Sequence, residues 1–253
     1  MRLLFLSFFL VFGRTAPAGE SPVRVKLFCL FTPEFQILYE RYFLPSIQDD
    51  FDVIVREYPQ ECPTGVYRSE GWDKTMIHKL EMLQDAAIGC AENQVFIYAD
   101  VDIIFLKPAL PALLECLGTN DFVVQQGWPR RGLCAGLIVL RANEKTSTWI
   151  KRARALLERK MCPDDQVALQ RSLESFREGE ISWAFLPSEQ FPNGRRVLKA
   201  YSQEKNQLYT RDSELALDDS IVLFHANCCL GLEDKCHFLT RVQEEYLKNR
   251  CHL

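Results

Sequence analysis

Val95-Phe96-Ile97-Tyr98-Ala99-Asp100-Val101-Asp102 is the stretch that decides how this chain is read. Its first five residues form an unbroken apolar run, the pattern of a strand buried on both faces of a parallel sheet. Two carboxylates follow, spaced i and i+2. If the strand persists through them, both point to one side of the sheet at its carboxyl end, where open α/β sheets hold their ligands. Paired carboxylates there suit a hard divalent cation, which takes oxygen ligands and can neutralise a bound diphosphate. A solvated, Asp-rich turn closing the strand accounts for the same spacing, so the surrounding sequence has to decide.

Upstream, Val23 to Phe31 reads as a strand and Thr32-Pro33-Glu34 as a helix start, with Thr as N-cap, Pro in the first turn and Glu near the positive end of the dipole. Phe35, Leu38, Tyr42 and Ile47 are placed to line the buried side of that helix. Phe51 to Tyr58 is a second strand. A long helix follows from about Ser69 to Ala87, with Ile77, Leu80, Leu83 and Ala87 at helical spacing and Gly89 as the expected C-cap. Strand and helix thus alternate up to the Asp100/Asp102 strand, which predicts right-handed crossovers and a mostly parallel sheet flanked by helices.

Downstream, a helix is expected from Lys107-Pro108 to near Gly118, then strands over Asp121 to Gln126 and Gly136 to Leu140. Asn143 caps a helix to about Lys160 whose apolar stripe is Trp149, Ala153, Leu156 and Leu157, and Asp164-Asp165-Gln166 opens another. Trp183 to Leu186 and Ile221 to Phe224 read as short strands, the second leading into His225-Ala226-Asn227. A last amphipathic helix covers about Phe238 to Lys248. No repeat, low-complexity tract or linker interrupts residues 23–253, which read as one domain.

Residues 1–18 read separately. Arg2, the apolar run Leu3 to Phe12 and the small-residue pattern Ala16-Pro17-Ala18 make a secretory signal, or a short signal anchor, since spanning a bilayer needs about 20 apolar residues. The expected location is therefore the secretory pathway (Golgi or endoplasmic reticulum lumen) or outside the cell. Loss of Arg2 and Arg14 with that segment takes the formal charge from −4 to −6, which argues against a general nucleic-acid binder. Ten cysteines in an oxidising compartment favour disulfides, expected first among Cys228, Cys229, Cys236 and Cys251, while Cys29 sits in an apolar strand as a buried thiol. A zinc site built from the C-terminal Cys and His residues is disfavoured, because their spacing matches no compact zinc module.

The nucleotide signatures Gly-x-Gly-x-x-Gly and Gly-x-x-x-x-Gly-Lys-Ser/Thr are both absent, as is a Gly-x-Ser-x-Gly elbow. What remains is an ordered set: Asp100-Val101-Asp102, Cys134-Ala135-Gly136, Asp165-Gln166, and His225-Ala226-Asn227 through Gly231 to Lys235. This set resembles the nucleotide-diphospho-sugar transferases of the GT-A fold, in particular the small α-galactosyl- and α-xylosyltransferases and, more distantly, glycogenin. The resemblance runs from about Val25 to Lys235. It implies a Mn²⁺ ion, or Mg²⁺, held by Asp102, Asp100 and His225, with Asp100 also on the nucleotide ribose and Lys235 near the diphosphate. It further implies that Asp165 and Gln166 contact the donor sugar, that Lys79 faces the nucleotide or sugar, and that Gly136, Asn227 and Gly231 belong to the donor site. A UDP-sugar donor, a glycan, protein or lipid hydroxyl acceptor, and retention at the anomeric carbon come from the same source. Cys134 and Ala135 depart from the family, which often carries Asn or Ser there.

The residues read individually leave simpler alternatives open. His225 ending an apolar strand is commonly a structural hydrogen-bonding group, Lys79 a solvated lysine on a helix, and Asp164 and Asp165 dipole-favouring residues at a helix start. Two other functions compete. A haloacid-dehalogenase-like phosphatase would use Asp100 as nucleophile, but that motif normally sits on the first strand and gives His225 no role. A secreted nucleotide-sugar-binding module of the same fold would lack turnover.

Overall fold

The computed structural model describes residues 24–62, 69–127, 132–199, 208–229 and 231–251. The N-terminal segment read as a signal lies outside the described residues. The first strand, β1 (Lys26–Phe31), is followed by a helical stretch that opens on a 3₁₀ turn at Pro33–Phe35. It continues as α1 (Gln36–Leu38), a π-turn at Tyr39–Phe43 and α2 (Leu44–Ser46). Thr32 occupies the N-cap position but makes no capping bond with its side chain. Leu38, Tyr42 and Phe43 are buried, and Tyr42 Oη lies 2.9 Å from Thr240 Oγ1 on the last helix.

The main sheet has six strands. β1, β2 (Asp52–Glu57) and β3 (Val95–Ala99) are parallel neighbours, β6 (Leu133–Arg141) runs against β3, and β5 (Phe122–Gln126) and β7 (Trp183–Phe185) complete the order β2-β1-β3-β6-β5-β7. β6 alone is reversed, so the sheet is mostly parallel, as expected. The apolar run of β3 explains its central place. Phe96 and Tyr98 pack on the face covered by α3 (Trp72–Gly89), α5 (Glu144–Glu158) and α6 (Asp165–Leu173), while Ile97 and Ala99 pack on the other. Both faces are therefore buried, and the strand needs no polar side.

Four features differ from expectation. The strand ends at Ala99, and Val101 and Asp102 lie in a turn, with Ile103 N donating to Asp100 O at 3.1 Å. The chain then re-enters extended structure as β4 (Ile103–Phe105), which pairs antiparallel with β8 (Leu223–His225) in a separate two-stranded ribbon. The strand ahead of Asn227 is thus no member of the main sheet. Gly89 is the last residue of α3 and Cys90 its C-cap, at φ −84°, so no left-handed glycine is needed. α4 (Leu110–Leu117) starts two residues after Pro108, with the Asp49 carboxylate accepting from Ala109 N and Leu110 N.

The helix starts read from Asn143 and Asp164 are both present. Asn143 forms a capping box with Thr146, and Asp164 accepts from Val167 N at 2.9 Å. Trp149 Nε1 donates to Leu169 O at 2.9 Å and fixes α6 against α5. α7 (Leu232–Cys251) begins earlier than its amphipathic pattern suggested. No helix among the described residues is long and apolar enough to cross a membrane.

Candidate active site

β1, β3 and β5 end at one edge of the sheet, and the reversed β6 begins there. A cavity of about 490 Å³ opens at that edge, lined among others by Thr32, Lys79, Asp100, Asp102, Cys134 and Asp165. Its volume is that of an ordinary ligand cleft.

One wall carries the acidic pair and the histidine. The turn after β3 brings Asp100 and Asp102 together, and the ribbon sets Ile103 opposite His225, which delivers the imidazole beside Asp102. Ligand atoms of Asp100, Asp102 and His225 lie within 4.8 Å of one another, the single such group of potential metal ligands among the described residues. His225 Nε2 is 3.1 Å from Asp102 Oδ1 and 3.9 Å from Asp100 Oδ2. Lys235 Nζ bonds the second oxygen of Asp102. Burial opposes the charge of Asp102, but Lys235 and His225 outweigh it and hold the carboxyl well below its ordinary range. Burial likewise disfavours the imidazolium, and Asp102 and Cys134 overcome it, lifting His225 to about 10. Two carboxylates and an imidazole with mutually close donor atoms are a chemically suitable set for Mn²⁺ or Mg²⁺.

The adjoining wall is built by α3 and the start of α6. Lys79 is only 3% exposed, so it is no solvated surface lysine. Its Nζ stands 3.1 Å from Asp100 Oδ1 and 3.0 Å from Asp165 Oδ2, above the Tyr98 ring. Burial lowers its pKa and the two carboxylates raise it, with a net rise above the ordinary lysine value. Asp165 is buried and its carboxyl is pushed up by that burial, against the pull of Lys79. Gln166 faces the cavity and accepts from Ala135 N at 3.3 Å.

The glycines and Asn227 serve the frame. A Cβ on Gly136 would lie 2.1 Å from His225 Cε1 and 2.9 Å from Asp100 Oδ2, so glycine is required there by the packing of those two side chains. Asn227 accepts from Gly194 N at 3.0 Å and donates to Cys134 Sγ at 3.3 Å. Gly231 precedes α7, its carbonyl accepting from Lys235 N, and does not line the cavity.

The expected disulfide does not form among the described cysteines. Cys228, Cys229 and Cys236 are all free thiols, and the Cys251 side chain lies outside the described residues. Adjacent Cys228 and Cys229 have Cα atoms about 3.8 Å apart, closer than the roughly 4.4–6.8 Å of an ordinary bridge. Cys29 is the buried thiol expected, pushed up to about 12 by burial and the charge of Asp100.

Two contributors were not anticipated. Tyr98 Oη donates to Asp100 Oδ1 at 2.7 Å, and Gln125, fully buried at the end of β5, meets His225. A Tyr closing the apolar run was a visible signal for the first. A Gln after Phe122-Val123-Val124 reads as the strand's exit into solvent, which hid the second.

The sequence model of nucleotide-diphospho-sugar transferases matches residues 64–239. The chain belongs to that family. Solved glycosyltransferases share its GT-A fold. The GlyE glycosyltransferase of Streptococcus pneumoniae TIGR4 is 14% identical over 90% of this chain and 65% of its own, with a TM-score of 0.54. A glycosyltransferase involved in glycosylation of the PBCV-1 major capsid is 12% identical over 85% of this chain and 100% of its own, at 0.56. The galactosyltransferase LgtC, solved with donor and acceptor sugar analogs, is 13% identical over 86% and 96%, at 0.52. No curated protein matches by sequence. This nucleotide-diphospho-sugar transferase is by class a glycosyltransferase. The phosphatase reading is overturned, since Asp100 follows the third strand of a transferase fold rather than the first.

Proposed function

We propose that this transferase moves a hexosyl or pentosyl group from a UDP-sugar to a hydroxyl of a glycan, protein or lipid, with retention, using Mn²⁺ or Mg²⁺ held by Asp100, Asp102 and His225. The observation that carries the reading is the convergence of those three donor groups with Lys235 on one wall of the cavity. A divalent cation bound there supplies positive charge against the charge that builds on the departing diphosphate, with no proton transfer.

The remaining steps belong to the chain's own residues. Lys235, half-buried beside Asp102, adds a second positive charge for the diphosphate. Asp165 and Gln166, at the first turn of α6, orient the sugar beside the acidic pair. Lys79 pairs with both Asp100 and Asp165, its nitrogen within 3.1 Å of an oxygen of each, and so ties the start of α6 to the acidic pair. Asn227 and Gly136 hold the frame in which His225 and Asp100 meet. The apolar run Leu3 to Phe12 after Arg2 supports action in the secretory pathway or outside the cell.

Asp165→Asn separates sugar chemistry from nucleotide binding. Transfer should fall by about 10²–10³-fold, the cost typical of losing one preorganised electrostatic group. Mn²⁺-dependent UDP affinity should stay within about threefold of wild type, well under the tenfold that 1.4 kcal/mol would bring. Equal loss of UDP affinity would place Asp165 on the nucleotide and overturn the assignment.

A further inference from the structure

His225 has two ring nitrogens, and the fold treats them differently. Nε2 faces Asp102 and Asp100. Nδ1 faces away from the acidic pair, 2.7 Å from Gln125 Oε1. The orientation of that amide is set by its other end, where Gln125 Nε2 donates to Phe191 O at 3.2 Å and to Pro192 O at 3.0 Å. Two carbonyl oxygens only accept, so the amide nitrogen must face them and the amide oxygen must face the ring. An oxygen acceptor 2.7 Å from Nδ1 requires a proton on Nδ1. Once a cation takes the place of the proton on Nε2, the neutral ring therefore carries its lone pair on Nε2, on the side of the acidic pair.

Among the described residues one other group reaches Nδ1. Cys134 Sγ is 3.6 Å from Nδ1, a longer and weaker contact, and it lies on the side of the ring away from the carboxylates. Gln125 and His225 are 0% and 2% exposed, so solvent water does not replace the amide. The register of β5 against β6 shifts between Val124 and Gln125, and such a bulge re-aims a side chain next to a site. Gly136 closes the ring's other flank, where any Cβ would strike Cε1.

We propose that Gln125 is the positioning residue of His225, fixing its Nδ1–H tautomer and ring angle and thereby tuning the affinity of the Asp100/Asp102/His225 site for its divalent cation. The inference rests on the reading of those three residues as the cation's ligands. A histidine ligand commonly donates its second nitrogen to an oxygen acceptor, and loss of such a partner costs about 10–100-fold in metal affinity.

The test uses the full chain without nucleotide. Free Mn²⁺ is measured by electron paramagnetic resonance for wild type, Gln125→Leu, Gln125→Glu and His225→Ala, alongside thermal melting. Gln125→Leu should raise the Mn²⁺ Kd by about 10–100-fold while still melting cooperatively. Gln125→Glu again offers Nδ1 an oxygen acceptor but turns its other oxygen on the Phe191 and Pro192 carbonyls, so it should recover part of that loss. ¹⁵N NMR of Mg²⁺-saturated wild type should show the His225 proton on Nδ1, and this measurement decides the question if Gln125→Leu fails to fold. A proton on Nε2, or a folded Gln125→Leu with wild-type Mn²⁺ affinity when His225→Ala has lost it, overturns the positioning role. Wild-type affinity in His225→Ala itself overturns the reading of the ligands instead.

Discussion

Replacing Lys79 with Met keeps the length of the side chain and removes its charge, leaving the Asp100 and Asp165 carboxylates facing each other across the gap. Breaking a buried ion pair by deleting one partner costs about 3–5 kcal/mol. The two partners differ, however. The Asp165 side chain is 5% exposed and pairs with no other cation among the described residues, whereas that of Asp100 is 31% exposed and accepts from Tyr98 as well. Water relieves Asp100, so the cost rests on Asp165 and belongs near the lower bound, about 3 kcal/mol at pH 7.5. Burial already raises the Asp165 carboxyl, and loss of Lys79 raises it further. A carboxyl raised in the folded state penalises folding above its folded pKa, and the penalty fades as pH falls toward the unfolded value of about 3.9. Urea unfolding of Lys79→Met should therefore show the full deficit at pH 7.5 and a smaller one at pH 5. Adding Asp165→Asn removes the stranded charge and should restore about 1–2 kcal/mol, a coupling of the size expected for residues in contact. A deficit below about 1 kcal/mol, or one equal at both pH values, would refute the claim that Lys79 offsets the buried charge of Asp165.

Two further substitutions probe the frame. Asp121 accepts from Ser182 N and Oγ at 2.8 and 2.9 Å, from Asn143 Nδ2 at 2.9 Å and from Lys145 at 3.2 Å, bonds that depress its carboxyl against the effect of burial. Asp121→Asn should cost about 2 kcal/mol at neutral pH by chemical denaturation. A depressed carboxyl stabilises above its unfolded pKa of about 3.9 and loses that contribution as pH falls through the folded value, so the variant's deficit should vanish in acid; a pH-independent deficit would contradict this. Gly136→Ala places a methyl against His225 and Asp100. It should abolish Mn²⁺ binding while far-UV circular dichroism stays native, and retained Mn²⁺ affinity would show that the ring can move aside.

How much of this was legible depended on the length of each pattern. The apolar run of β3, the alternation before it and the caps at Asn143 and Asp164 are strong local signals, and each element formed where they placed it. The ribbon that carries His225 was not legible, because three residues, Leu223–His225, state neither direction nor partner, and because β4 lies directly behind a turn. The acidic pair converged for a different reason than expected, a turn rather than a continued strand. Lys79 was ambiguous in sequence, since a helix lysine is buried only when two carboxylates from distant segments meet it. The roles of Gln125 and Gly136 depend on the position of His225, about 90 to 100 residues away in the chain, and no local pattern encodes that.

The central claim is a nucleotide-sugar site completed by a cation on Asp100, Asp102 and His225. Isothermal titration of the purified protein with UDP, with and without Mn²⁺, tests it most directly, together with release of UDP from a panel of UDP-sugars. Binding that requires Mn²⁺, is lost in Asp102→Ala, and is accompanied by turnover of at least one UDP-sugar is the predicted result. UDP binding that is indifferent to Mn²⁺ and to Asp102→Ala, or Mn²⁺-dependent binding without transfer or hydrolysis of any donor, would contradict it.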